Sequence, residues 1–289
     1  MRDGFVFILK RLVSKDKMPD SEGKSSIHQS KDHLWPQISA MPYFRGLLRA
    51  VEARFYQNIE LPSPTLDLGC GDGHFATAAF DRKLEVGTDP WWIPLTEAGK
   101  RNAYLGLTQS EGAAQPFQDA HFASAVSNSV LEHIPHIEDV LLETARLLKE
   151  GAPFVFCVPN HQFLSTLSIG RSLDRIGLTL LGDAYRKFFN CISRHYHCDD
   201  PQTWEIRLKK AGFRLEKWWH YFSPSALRVL EWGHYLGLPS LISKKLTGHW
   251  ILVPQSWNLA PTHRLVEPYY EEPIASEDGV YTFYIARRV

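Results

Sequence analysis

Thr65-Leu-Asp-Leu-Gly-Cys-Gly-Asp-Gly73 decides the fold of this 289-residue chain. A short apolar strand runs straight into a turn holding three glycines, and His74 to Phe80 then suits a helix. A glycine-rich turn between strand and helix lets a ligand approach the backbone closely. Glycines alone are weak evidence, because ordinary tight turns use them too. The acids decide. Asp67 and Asp72 flank the turn, where a pyrophosphate would meet two like charges and a cationic amino group would be matched. Asp89 ends a second strand, Leu84 to Thr88, where a carboxylate can accept hydrogen bonds from both ribose hydroxyls. The pattern fits an adenosyl ligand with a cationic amino-acid tail better than a dinucleotide.

Working outward, strands and helices alternate. Thr96 to Tyr104 reads as a helix, Leu107 to Gln109 as a weak third strand and Phe122 to Ser127 as a fourth. Ile137 to Lys149 has the strongest helical pattern. Val140, Leu141, Thr144, Leu147 and Leu148 share a face, acids occupy the first turn and Gly151 follows as a stop. Pro153 to Val158 is a continuous apolar run, as expected of a strand covered on both faces. This order predicts an α/β, doubly wound, mostly parallel sheet. Residues 161–200 contain no clear strand; Pro201 to Ala211 looks helical, Phe213 to Trp219 extended, and a last strand spans Val280 to Ala286. Upstream, Phe44, Leu47, Leu48, Val51 and Phe55 mark one face of a lead-in helix.

LDLGCGDG, the acid ending the second strand, and the stretch from AQPF through SVLEHI to RLLKEG and CVPN resemble the class I S-adenosylmethionine-dependent methyltransferases, nearest to their type 11 group of small-molecule and lipid enzymes. The resemblance covers about residues 61–160. It implies a Rossmann-like fold with an antiparallel last strand and S-adenosylmethionine as cofactor. Asp67, Gly69, Cys70, Gly71 and Gly73 would line the methionine end, and Asp89 would hold the ribose. Pro90 and Trp91, with Trp92 as the alternative, would cover the adenine, and Glu111 would face its amino group. Asn128 would lie near the sulfonium. Ala123 departs from the family's aspartate after Phe122, which implies a local structural change without loss of cofactor binding. Glu132 and His133 are more often packing or positioning residues in this family than catalytic ones.

The divisions expected are an arm over 1–34, a helical lead-in over 35–60 and the methyltransferase domain over 61–289, with insertions 161–200 and 221–279 capping the acceptor site. Residues 14–33 are polar, mixed in charge and unable to repay ordering entropy, hence the arm. Asn190-Cys-Ile-Ser-Arg-His-Tyr-His-Cys198 in the first insertion holds four soft ligands, but their crowding does not suit a zinc tetrad, so no metal is expected. His195 or His197 is instead the expected general base, since an oxygen acceptor must lose a proton and histidine titrates in the right range. Tyr196 and Arg194 are candidate substrate contacts.

Lys+Arg and Asp+Glu are both 32, which leaves no excess positive charge for general nucleic-acid binding. Four irregularly spaced cysteines do not make a disulfide scaffold, so reduced thiols in the cytoplasm are expected. No run of 18 apolar residues occurs. Between Ser223 and Val253, leucines and tryptophans with Lys244 and Lys245 suit either a packed cap or an interfacial helix at a membrane. The reaction expected is O-methylation of a small-molecule, saccharide or lipid-linked acceptor. The alternatives are a protein or RNA methyltransferase and a non-catalytic cofactor-binding partner subunit.

Overall fold

The computed structural model describes residues 31–289, so most of the expected arm lies outside the described residues. Helices α1 (Leu34–Ile38) and α2 (Tyr43–Tyr56) lead into β1 (Thr65–Leu68). Then come α3 (His74–Ala79), β2 (Leu84–Asp89), α4 (Trp92–Arg101), β3 (Tyr104–Gln109), β4 (Ser124–Asn128), α5 (Ile137–Leu147) and β5 (Pro153–Pro159). The first insertion forms α6 (Phe163–Thr166), α7 (Ser168–Arg175) and α8 (Thr179–Ser193); α9 (Pro201–Lys210) then precedes β6 (Phe213–Tyr221). The second forms α10 (Pro224–Leu236), α11 (Leu238–Thr247) and α12 (Ser256–Tyr270) before β7 (Tyr281–Arg288).

The seven strands lie in the order β3-β2-β1-β4-β5-β7-β6. Asp67 of β1 stands opposite Gly87 of β2 and Val126 of β4, all parallel, so these strands deliver their carboxyl ends to one edge. That edge is where open α/β sheets bind ligands. The last strand, β7, pairs antiparallel with both β5 and β6. Every residue of β5 is buried because both faces are covered. Phe154, Phe156 and Val158 meet α5 and α9, while Val155 and Cys157 face the core shared with α2 and α10.

Two element boundaries differ from expectation for identifiable reasons. Helix α4 starts at Trp92, four residues before Thr96, because Pro94 falls in a first turn whose N–H groups have no helical partner anyway. Asn102 at φ 58° ends it, and Tyr104, expected in the helix, opens β3. Helix α10 ends at Leu236 with Gly237 as its cap, and Pro239 sits in the first turn of the new helix α11. Ser223 caps α10 as its sequence suggests, accepting the Ala226 N–H at 3.1 Å. Helix α10 then lies against α2 at Gly233, where a Cβ would sit 2.3 Å from that of Phe44.

Candidate active site

The turn after β1 is shaped by backbone that side chains resist. Gly69, Gly71 and Gly73 have φ of 76°, 55° and 72°. A Cβ on Gly69 would come within 2.4 Å of Val130, whereas one on Gly71 would meet nothing within 4 Å. The Gly69 and Cys70 N–H groups donate to the Thr88 carbonyl at 2.8 and 2.9 Å, fastening the turn to β2. Asp89 accepts from the N–H of Gly71 at 3.0 Å and of Trp91 at 2.9 Å, one bond to each oxygen. A second lone pair on each oxygen remains for two hydroxyls.

Asp67 is buried and accepts the Tyr104 hydroxyl at 2.6 Å. Burial pushes its carboxyl up to about 7, with the Asp89 charge adding and the Tyr104 bond opposing. Asp72 is engaged by Arg101 at 3.1 Å and caps the His74 N–H, so it contributes less charge to the cleft than its sequence position suggests. Asp67, Gly69, Cys70, Gly71 and Asn128 line a cavity of about 660 Å³. Asp89, Pro90, Trp91, Glu111, Gln115 and Val130 line another of about 680 Å³. Gly69, Val130 and His133 border both, so the two are halves of one cleft. Gly73 turns the chain into α3 and touches neither half. Trp92 lies exposed on α4 outside the cleft. Ala123 lies outside it as well, its N–H donating to the Pro64 carbonyl at 2.8 Å.

A third cavity, of about 780 Å³, adjoins this cleft. Its walls include Phe44 and Leu48 from α2, Phe163 and Ile192 from the first insertion, and Leu230, Leu238, Leu241 and Trp250 from the second. Its polar end gathers Arg45, Arg49, Ser129, Glu132, His133 and His195. His133 borders all three cavities.

The family profile for a methyltransferase domain matches residues 42–218. The chain belongs to that family: it carries a methyltransferase domain of the S-adenosylmethionine-dependent kind. A botryococcene C-methyltransferase from Botryococcus braunii is 27% identical over 215 residues, 66% of this chain. The match takes in 52% of that relative, so the chain spans about half its length. A Thermotoga maritima S-adenosylmethionine-dependent methyltransferase shares the fold with a TM-score of 0.52 at 14% identity, covering 85% of this chain and 90% of that one. A Haemonchus contortus phosphoethanolamine N-methyltransferase gives 0.50 at 16%, covering 83% and 52%.

The methyltransferase's cleft suits its cofactor on its own geometry. An open approach at Gly71, a buried carboxyl at Asp67 and paired acceptor sites on Asp89 would fit the backbone, amino and ribose contacts that S-adenosylmethionine requires. Asn128 lines the cleft, and its side chain is held there by two partners. Its amide donates to Glu52 at 2.6 Å, and its amide oxygen accepts the Cys157 thiol at 3.1 Å.

Glu52 is fully buried and also accepts from Arg49, Ser129 and Tyr221, each at 2.9 Å. Burial alone would lower the Arg49 pKa, but the Glu52 charge raises it above its ordinary value. The methyltransferase thus ties α2, the end of β4 and the end of β6 through one carboxylate. Ser129, held at φ 50°, is positioned by that knot. Sequence reading overlooked Glu52. The available signal was a second, polar stripe of Arg45, Arg49 and Glu52 at helical spacing beside the apolar one.

The two candidate histidines separate. His195 lines the 780 Å³ cavity, and burial pushes its pKa down to about 3, with His133 and His234 adding. His197 lines none of the three cavities. Its Nε2 lies 3.0 Å from the Ile134 carbonyl and its Nδ1 3.5 Å from Asp199. It is a loop anchor, which corrects its reading as a base. The loop after α8 therefore brings His195, and not His197, to the cavity. Cys191 is exposed, and the four soft ligands of 191–198 form no shared cluster among the described residues, although Cys198 Sγ lies 3.8 Å from His195 Nδ1.

Proposed function

We propose that this methyltransferase acts on an oxygen of a small, largely apolar acceptor, of the saccharide-bearing, lipid-linked or quinone-like kind, by in-line methyl transfer. One observation carries the reading: a cavity walled mainly by apolar and aromatic side chains meets the cofactor cleft at His133 and concentrates its ionisable groups there. Bound S-adenosylmethionine supplies a methyl group already activated by its sulfonium, so positioning is the protein's main contribution. Asp67 and Asp89 hold the cofactor, with Trp91 beside its base and Glu111 at the rim.

Phe44, Leu48, Leu230 and Leu241 exclude water around the acceptor, whose hydroxyl is placed against Ser129, Glu132, His133 and His195. The hydroxyl proton leaves through that group, in which burial keeps the His195 imidazole neutral and makes it a poorer proton acceptor than a free histidine. Both insertions cap the acceptor site in this reading, supported by the residues each contributes to its wall.

Helix α11 has no buried residue, and exposes Leu238, Ile242 and Leu246 beside Lys244 and Lys245. That character supports peripheral contact with an anionic lipid surface as the route by which an apolar acceptor arrives. No described helix is long and apolar enough to cross a membrane. The matched relative is named for carbon methylation, so the acceptor atom is the point to test. Methyl-labelled S-adenosylmethionine is offered with hydroxylated acceptors that carry or lack a long apolar chain. The expected product is a methyl ether, favoured by the apolar chain. A new carbon-bound methyl would overturn the oxygen assignment, and transfer only to RNA or protein would overturn the acceptor class. Flotation with anionic vesicles tests the lipid contact, which is abandoned if the protein stays at the bottom of the gradient.

A further inference from the structure

At the meeting point of the three cavities, Glu132, His133 and His195 bring a carboxylate oxygen and two ring nitrogens within 4.8 Å of one another. Glu132 comes from the single 3-10 turn after β4 and is 1% exposed, yet its Oε2 has no hydrogen-bond partner. A buried carboxylate oxygen left unpaired is costly, and such atoms ordinarily have a reason. Its other oxygen lies 3.8 Å from His133 Nε2. His133 Nδ1 is 3.0 Å from the Arg194 carbonyl, a contact that places the proton on Nδ1 and leaves the Nε2 lone pair facing Glu132. Metal-binding histidines are held in the same way, by a carbonyl on the far nitrogen. His195 is fixed from behind by the Cys198 thiol, 3.8 Å from Nδ1. The loop carrying it is pinned where Tyr196 N–H donates to the Glu132 carbonyl at 2.7 Å.

We propose that Glu132, His133 and His195 bind a divalent first-row transition ion of the zinc type, with an open position facing the acceptor cavity. Two imidazoles and one carboxylate are the ligand set of catalytic sites that leave a coordination position free. Tetrahedral bonds of about 2.0–2.1 Å put ligand atoms about 3.4 Å apart, so the Glu132–His133 separation of 3.8 Å must close by a few tenths of an ångström, and any pair near the 4.8 Å limit by more than one. Arg45 and Arg49 also face this end of the cavity. Arg49 is neutralised by Glu52 at 2.9 Å, and the Arg45 guanidinium sits 5.9 Å from the Trp250 ring centre. Those cations disfavour a bare ion and favour one that carries an anionic oxygen.

The inference rests on the oxygen-acceptor reading and changes only how the oxygen is made nucleophilic. A hydroxyl bound at the open position loses its proton to water at neutral pH, because the ion lowers its pKa. The resulting oxygen forms a bond to the methyl carbon as the carbon–sulfur bond breaks and the sulfur keeps the electron pair. No oxidant or reductant is needed. With the ion in place His195 is a ligand, and it ceases to be the proton acceptor.

Full-length protein stripped with a chelator is titrated with Co²⁺ and followed by visible absorption. The expected result is a break at one equivalent, reversed by Zn²⁺. Glu132→Gln and His195→Ala should each weaken binding at least tenfold while S-adenosylmethionine affinity stays within about twofold. If Glu132→Gln fails to fold, the partly buried His195→Ala decides alone. No break at one equivalent, or a His195→Ala protein that binds Co²⁺ as wild type does, overturns the site. A methyl ether formed without metal binding would sink this inference alone. Stoichiometric metal with a carbon-methylated product would sink the oxygen reading alone.

Discussion

The cofactor side and the acceptor side of this methyltransferase are built in different ways. On the cofactor side, β1, β2 and the turn at 69–73 make the site largely from backbone, with Gly71 and Trp91 N–H groups fixing Asp89. On the proposed acceptor side, the cavity walls come from side chains of α2 and two long insertions, which meet only after folding. The first kind of site tolerates little sequence change, because positive φ and close approach allow few residues. The second can be reshaped by exchanging leucines for other apolar groups of similar volume. A fixed cofactor with variable acceptors calls for that division.

The Glu52 knot joins the two sides, and breaking it should have the largest effect. Glu52→Ala removes a buried acceptor of four hydrogen bonds and leaves Arg49 unpaired, an expected loss of about 3–5 kcal/mol in stability. Denaturant unfolding measures it, and a loss below about 1 kcal/mol would mean the sides are held together elsewhere. Asp89→Ala should weaken S-adenosylmethionine by roughly 10- to 150-fold, about 1.5–3 kcal/mol, with stability little altered. Calorimetry giving unchanged affinity would remove the ribose assignment.

Gly233→Ala addresses the acceptor side alone. The new methyl must displace Phe44, at a cost of about 1–3 kcal/mol, while cofactor affinity remains as in the wild type. An equal fall in cofactor affinity would show that the sides are not separable.

Asp67 gives a pH test of the cofactor side. Its folded pKa, about 7, lies above the ordinary 3.8. The protonated form therefore stabilises the fold fully below about pH 4, and that contribution is lost as pH rises towards 7. An ammonium ligand prefers the ionised form. S-adenosylmethionine affinity should rise from pH 5.5 to 7 by up to about tenfold per unit and then level off; a flat profile would separate Asp67 from the amino group. The smallest effect belongs to His197→Ala. Losing its bond to Ile134 should cost about 1 kcal/mol and leave turnover per folded molecule unchanged, whereas His195→Ala should reduce turnover.

The same contrast explains what could be read from sequence. The glycine turn, the succession of strands up to β5 and the acid at the end of β2 were legible because local rules govern them: φ above zero, alternation of strand and helix, an acid at a strand end. Glu52 was not, since a lone glutamate in an amphipathic helix looks like solvent-facing charge until Tyr221 and Asn128 are brought beside it. His195 and His197 looked equivalent, and the direction of an irregular loop separated them. Glu132 and His133 are neighbours in the chain, but His195 lies in the first insertion, so no spacing rule could join it to them. The start of α4 was placed too late, because Pro94 suits the first turn of a helix as well as a break.

Because β7 lies between β5 and β6, the sheet is closed by residues 281–288. Before they are synthesised, β5 offers Pro153–Pro159 as an unpaired apolar edge, the kind of strand that recruits a second chain. Both insertions and α9 must emerge from the ribosome while that edge stands open, so folding is governed by contacts distant in sequence. Chaperone demand during synthesis should therefore track the delay between β5 and β7, and a ribosome stalled near residue 279 should display a nascent chain primed to aggregate.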